Sequence, residues 1–271
     1  METLYATYVI VFIFGTFIGS FLNVLILRHN TGKTLLGRSG CMSCRKQLNW
    51  TELIPVLSFL LQRGRCRKCR STLSRQYPFV ELATGALFLL AFLISETIPE
   101  ILFHSLLFSV LLIITVYDLK HKIIPDRYVW IFIILAFLSL FINFTAPSFV
   151  APAFIEVFSG LVVAAPLLLL WLVSRGMWIG FGDLKIVLGT GTFLGIQMGL
   201  VALMYAFWIG ALYGVTVILI QKLHTVFSLN KGRGTLTMKS EVPFAPFLIL
   251  GFLLIYLLPD IFFTPLAGLY F

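Results

Sequence analysis

The sequence predicts an all-α fold, a polytopic membrane bundle of about eight transmembrane helices with one small zinc-binding insert on the cytoplasmic side. Three observations carry that expectation. Of the 271 residues, 59% are hydrophobic and only 11% are charged, with a mean hydropathy of +1.01, whereas soluble domains carry roughly 25% charged residues. The apolar residues gather into long runs broken by short polar segments. All four cysteines fall in the one sizeable polar stretch.

The first run, residues 4–27, is long enough to cross a hydrocarbon core of about 30 Å. No Lys or Arg precedes it, and it ends at Arg28. A cleaved signal peptide would show a basic start and a shorter apolar stretch, so the run reads as a retained first span. Gly15, Gly19 and Asn23 along it read as packing positions. Further runs cover residues 78–94, 101–117, 128–144, 154–173, 184–198, 200–220 and 244–258. The domains expected are therefore 1–27, a first helix; 28–77, the insert; and 78–271, a core of seven helices.

Charge fixes the orientation. With the amino terminus outside, the inner segments are 28–77, 118–127, 174–183 with Lys185, and 221–243. They hold 11, 3, 2 and 4 Lys or Arg, the whole complement of 20. Short basic loops resist translocation and stay in the cytoplasm, which places both termini outside. The formal charge of +9 then serves topology and anionic lipid headgroups. Nucleic acid is excluded as a partner, because no solvated basic face with a base-reading element accompanies the charge.

The run 184–198 is short, about 22 Å at 1.5 Å per residue, before Gly195 and Gly199 invite a turn. A helix of that length draws Asp183, at its inner end, toward the bilayer interior. Gly189, Gly191, Gly195, Gly199, Gly210 and Gly214 supply small-residue faces for close helix contact. Pro166 lies inside a span and is expected to kink it, whereas Pro55, Pro78, Pro125, Pro147, Pro152 and Pro243 fall in or beside loops.

In the insert the cysteines form two pairs, Cys41-Met-Ser-Cys44 and Cys66-Arg-Lys-Cys69, with 21 residues between them. Two such knuckles can offer four thiolates to one tetrahedral Zn²⁺. Disulfides are disfavoured in a cytoplasmic segment. A closed four-thiolate site has no open coordination position, so zinc would stabilise a module too small to bury a core. The surrounding Arg45, Lys46, Arg63, Arg65, Arg67, Lys68 and Arg70 could meet lipid headgroups or an acidic partner. The apolar stretch 53–61 is too short to span and is expected on the membrane face or under the zinc module.

Ionisable groups inside a membrane are costly and mark function by default. Asp118 follows directly on the third apolar run, and Asp183 sits in Gly180-Phe-Gly182-Asp183-Leu-Lys185. Two aspartates brought together can share a proton, one activating water and the other donating to the leaving group. The helix macrodipole suits Asp118, at a C-terminus, to the acid role and Asp183, at an N-terminus, to the base role. Gly180 and Gly182 would let a substrate backbone approach and let the loop take positive φ. The bland alternatives are an N-cap for Asp183 and an ion pair of Asp118 with Lys120, Lys122 or Arg127. His121 reads as an interfacial or capping residue.

Taken together these strings resemble the type IV prepilin peptidases, the leader peptidases of bacterial pili, type II secretion pseudopilins and competence pili. The likeness runs through Gly19-Ser20-Phe21-Leu22-Asn23-Val24, the cysteine knuckles, Trp50-Thr-Glu52-Leu-Ile-Pro55-Val and Tyr77-Pro78-Phe-Val-Glu81-Leu. It continues through Asp118 with Ile124-Pro125-Asp126, the Gly180 to Lys185 string and Pro243-Phe-Ala-Pro246-Phe; Ala245 stands where the family commonly has glycine. The resemblance implies a G-x-G-D aspartic protease with Asp118 and Asp183 as its catalytic pair, Asp126 being the runner-up for the first role. It also implies cleavage of a short basic leader from prepilins or pseudopilins, after a glycine, at the cytoplasmic face of the bacterial inner membrane. Many members then N-methylate the new amino terminus with S-adenosylmethionine; Glu81 and the insert are contributors to weigh, and no residue is assigned to that cofactor. Two rival readings remain at this stage. One is a proton-coupled transporter using Asp118 and Asp183; the other is a zinc-ribbon scaffold in which the acids serve only structure.

Overall fold

The computed structural model describes residues 2–32, 34, 37–143, 148–149, 152–227 and 242–262. Part of the last predicted inner segment, with Lys231, Arg233, Lys239 and Glu241, lies outside the described residues, as do Lys33, Phe144, Pro147 and the terminal positions 1 and 263–271. Nine α-helices hold most of the described residues, the insert being largely turns. The strands among the described residues are one two-residue antiparallel pair, Ile142–Asn143 with Ser148–Phe149.

Among the described residues five helices are long and apolar enough to cross a membrane: α1 (Glu2–Arg28), α3 (Gln76–Ile94), α4 (Ile98–His121), α6 (Phe154–Ser174) and α7 (Phe181–Phe227). The eight runs expected from sequence map onto seven helices. Runs 184–198 and 200–220 are the two halves of α7, which is interrupted at Gly195. Runs 128–144 and 244–258 correspond to α5 (Asp126–Ser139) and α8 (Ala245–Leu257), of 14 and 13 residues, each about 20 Å long at 1.5 Å per residue. The apolar runs read from sequence extend past the helix ends, because apolar loop residues carry no mark of where the hydrogen-bond ladder stops.

The chain divides into two compact units, the first ending at Val116 and the second beginning at Tyr117 within α4. In the first unit α1 and α3 run antiparallel, and glycines set their separation. A Cβ on Gly19 would come within 2.7 Å of Glu81 Cα, and one on Gly15 within 2.9 Å of Gly85 Cα. Asn23 closes the pair at one end by donating to the Tyr77 carbonyl at 3.1 Å. Small residues permit this approach, and van der Waals packing then holds helices that the bilayer does not squeeze together.

The insert between α1 and α3 has two similar turns. Cys41 N–H bonds the Lys46 carbonyl and Arg45 N–H the Cys41 carbonyl; Cys66 and Arg70 repeat both bonds, with Ser71 in place of Lys46. Arg45 and Arg70, each directly after the second cysteine of its pair, both have φ 55. A turn Trp50–Glu52 and the short helix α2 (Leu57–Leu61) lie between the knuckles.

The second unit is built on α7. A Cβ on Gly189 would press on Phe132 of α5, and one on Gly191 on Val163 of α6. Ser159 of α6 donates to the Gly191 carbonyl at 2.9 Å, and Gly251 of α8 lies against Ala202 and Ala206. Phe132, Phe193, Phe252 and Tyr256 meet edge-on or stacked in the core. α6 remains helical through Pro166. Gly195 has φ 79 and ψ 178, and a Cβ there would meet nothing within 4 Å. Its requirement for glycine is conformational, an extended left-handed residue that ends one helical half and starts the next.

Candidate active site and metal centre

One end of the second unit gathers the end of α4 and the starts of α5, α7 and α8. Asp118, on the last turn of α4, is 4% exposed. Its Oδ2 accepts the Ala245 N–H at 3.2 Å, so the carboxylate satisfies one of the orphan donors at the start of α8. Pro246 follows at once, and a proline there costs α8 no hydrogen bond. The bond explains why a Pro-Phe-Ala-Pro-Phe string accompanies the aspartates: it shapes a helix start around one of them.

Asp183 occupies the first turn of α7 and is 8% exposed. Its backbone N–H bonds the Gly180 carbonyl at 3.2 Å. The side chain turns back toward the backbone of Gly180 and senses the charge of Asp118. Its Oδ1 is buried with no hydrogen-bond partner among the described residues. A buried carboxylate oxygen left without a partner costs stability, so its retention calls for another explanation than structure.

The structure therefore places Asp118 and Asp183, both buried, in one unit and within electrostatic range of each other. It does not show the ion pair of Asp118 with Lys120, Lys122 or Arg127. Among the described residues the salt bridges are Lys46 with Glu52 and Lys185 with Asp126. Asp126 has a side chain 68% exposed and takes Lys185 Nζ at 2.6 Å. Lys185 Nζ also lies over the Phe181 and Trp130 rings at 5.3 and 5.9 Å. This clamp ties the start of α5 to the first turn of α7, and only the recurrence of Lys two residues after Asp183 could have pointed to it from sequence.

The expected positive φ at Gly180 and Gly182 is not found. Arg175 and Gly176, with φ 50 and 78, take the left-handed turn that ends α6 instead. Gly182 is required by packing, since a Cβ there would come within 2.9 Å of Ile124 Cβ. Gly180 faces the site, where a Cβ would come within 3.3 Å of Asp183 Oδ2. The two glycines of the string thus do different work: one docks α7 against the Ile124 segment and the other leaves room at the carboxylate.

In the first unit, one sulfur from each of Cys41, Cys44, Cys66 and Cys69 lies within 4.8 Å of the others, and Cys41 Sγ is 3.7 Å from Cys69 Sγ. A tetrahedron of sulfurs about 2.3 Å from a zinc ion has edges of about 3.8 Å, so the cluster has the size such an ion requires. None of the four cysteines is in a disulfide. The backbone N–H groups of Cys44 and Ser43, with the Ser71 hydroxyl, lower the Cys41 thiol to about 6, as donors to a thiolate do. The nearby Glu52 is buried, accepts the Asn49 N–H at 2.9 Å and holds Lys46 at 3.2 Å.

Glu81 of α3 is a second buried acid of this unit. It accepts the Val56 N–H at 2.7 Å. Val56 has φ 61 and ψ −53, and Leu57 N–H reaches back to the Pro55 carbonyl at 2.6 Å, a γ-turn of the strained hand. A β-branched residue at positive φ is a conformational outlier, and the bond to Glu81 helps to hold it.

The family model described as Bacterial Peptidase A24 N-terminal domain matches residues 13–95, and that of the Type IV leader peptidase family matches residues 105–215. A prepilin leader peptidase/N-methyltransferase of Bacillus subtilis (strain 168) is 35% identical over 259 residues, covering 93% of this chain and 94% of that protein. One of the same description from Klebsiella pneumoniae is 34% identical over 202 residues, covering 69% and 84%. Another from Aeromonas hydrophila is 28% identical over 275 residues, covering 89% and 87%. No solved structure matches the chain.

Proposed function

The chain belongs to the type IV leader peptidase family, and from that premise we propose that it is a membrane aspartic endopeptidase that removes the leader of prepilins or pseudopilins. The observation that supports the proposal is that Asp118 and Asp183 are both buried at helix ends of one unit, within electrostatic range of each other. Asp183 takes a proton from water as the water oxygen attacks the scissile carbonyl carbon. Asp118 donates its proton to the amide nitrogen as the carbon–nitrogen bond breaks. The unpartnered Oδ1 of Asp183 is the atom that would receive the water. The macrodipole at the start of α7 favours the charged base.

The four cysteines would hold one Zn²⁺, which supplies only cross-linking, since four thiolates close its coordination shell. The relatives' names add an N-methyltransferase activity, and the same activity is proposed here, a methyl passing from S-adenosylmethionine to the new amino terminus. No side chain is assigned to that donor. Family membership supports the inner membrane of a bacterium, and the Lys and Arg distribution supports a cytoplasmic site and insert with both termini outside.

The transporter alternative needs carboxylates placed along a path near the bilayer midplane, whereas Asp118 and Asp183 sit together at helix ends. The test is incubation of the purified protein with a prepilin-like substrate beside Asp118→Asn and Asp183→Asn. Cleavage by the unaltered chain and loss in both variants is expected. Uncut substrate with the unaltered chain, or full cleavage by both variants, overturns the reading.

A further inference from the structure

The insert exposes an apolar surface that its own small core does not explain. Leu57, Leu60 and Leu61 of α2 are 56%, 62% and 75% exposed, and Trp50 is 77% exposed. None of the residues of α2 is buried. In a water-facing module, four large side chains left open within twelve positions make a binding surface.

Charge identifies the partner. Residues 28–77 contain 11 Lys or Arg and a single acid, Glu52, which is buried against Lys46. Arg63, Arg65, Arg67, Lys68 and Arg70 follow α2 directly, and all are exposed. A short apolar face followed by unneutralised cations is what the interface of an anionic bilayer takes up.

Depth agrees. Val56, at the head of α2, donates its N–H to Glu81, which lies five residues beyond Gln76 at the start of the membrane helix α3. Five residues of helix rise about 7.5 Å. The segment leading into α2 is therefore held level with the second turn of a membrane-spanning helix, within the 5–10 Å at which interfacial helices sit. The γ-turn at Val56 has a use in this arrangement: it fixes a loop at that depth through one hydrogen bond to a buried acid.

We propose that Trp50 and the leucines of α2 form an interfacial anchor that inserts into anionic lipid, with the arginines after α2 meeting the phosphate headgroups. The anchor holds the metal module flat on the membrane. It does not depend on the peptidase reading.

The test uses the full chain in nanodiscs whose lipids carry brominated acyl chains, with phosphatidylcholine alone or mixed with phosphatidylglycerol. The signal of Trp50 is taken as the difference between the unaltered protein and Trp50→Phe, because four other tryptophans are present. The bromolipid is expected to quench the Trp50 component several-fold more strongly in the phosphatidylglycerol discs. High salt and the triple change Arg63→Gln, Arg65→Gln, Arg70→Gln should each reduce that quenching, with bound zinc reporting that the module stays folded. Equal access of aqueous iodide to Trp50 in detergent and in anionic discs would overturn the proposal. So would a Trp50 shielded from iodide yet untouched by bromolipid, which would make the covering partner a protein.

Discussion

The two units hold buried acids in opposite ways. In the first, Glu52 is met by a backbone N–H and an ammonium, and Glu81 by the Val56 N–H. In the second, Asp183 keeps a buried oxygen with no partner among the described residues and lies within electrostatic range of another carboxylate. A polar group that serves structure is furnished with partners, because leaving it bare costs about 1–3 kcal/mol. A polar group that serves chemistry must keep an atom in reserve. Burial alone would have ranked Glu52, Glu81, Asp118 and Asp183 together; the unpartnered oxygen sets Asp183 apart, while Asp118 accepts the Ala245 N–H.

The largest effect that can test this contrast is on the metal centre. Structural zinc contributes on the order of 10–16 kcal/mol to small modules. Removing it with a chelator, or changing Cys41→Ser and Cys66→Ser together, should unfold the insert and expose residues 40–72 to protease. Helix content in the second unit should persist, which circular dichroism and limited proteolysis would report. Elemental analysis finding no zinc in folded protein would remove this half of the contrast.

Next comes helix packing in the second unit. A Cβ on Gly160 would overlap Thr192 Oγ1 and the Leu188 carbonyl, so Gly160→Val should cost several kcal/mol by overpacking, seen as a lower melting temperature in detergent. Gly214→Ala, where a Cβ meets nothing within 4 Å, should leave it unchanged.

A smaller effect is expected from the clamp. Lys185→Met releases Asp126 from the first turn of α7 and should lower turnover by about tenfold with little change in KM, since misplacement of a reacting group by about 1 Å costs up to about a hundredfold. Lys185→Arg should restore most of it. Stability should barely move, because exposed ion pairs contribute roughly 0–1 kcal/mol and Asp126 is largely exposed.

The smallest effect concerns Glu52. The Asn49 N–H and Lys46 hold its carboxyl below the usual range. Its contribution is therefore complete above the unfolded value of about 4.3 and is lost as pH falls through the folded one. Glu52→Gln should lower the insert's stability modestly at neutral pH and flatten the acid limb of its stability curve, the difference from the unaltered chain vanishing as pH falls.

Much of this was legible in the chain. Apolar runs gave the membrane helices, knuckle spacing gave the sulfur cluster, and the isolation of Asp118 and Asp183 in apolar context gave the candidate pair. Sequence did not give the short lengths of α5 and α8, because apolar loop residues look like helix ends. It misread Gly182 as a source of backbone freedom, because packing against Ile124 is a tertiary fact. The bond from Ala245 to Asp118 joins positions 127 apart and leaves no local signature. Nor does the γ-turn at Val56, where a β-branched residue takes a conformation its propensity opposes.

The account stands on Asp118 and Asp183 acting as one unit. Cleavage rates of a prepilin-like substrate by Asp118→Asn, Asp183→Asn and the double variant measure that directly. Residues that act together lose their contribution once, so each single change should lower the rate by about 10²–10⁴-fold and the double change should lower it no further. Losses that multiply in the double variant, or one single variant that cleaves normally, would contradict the pair.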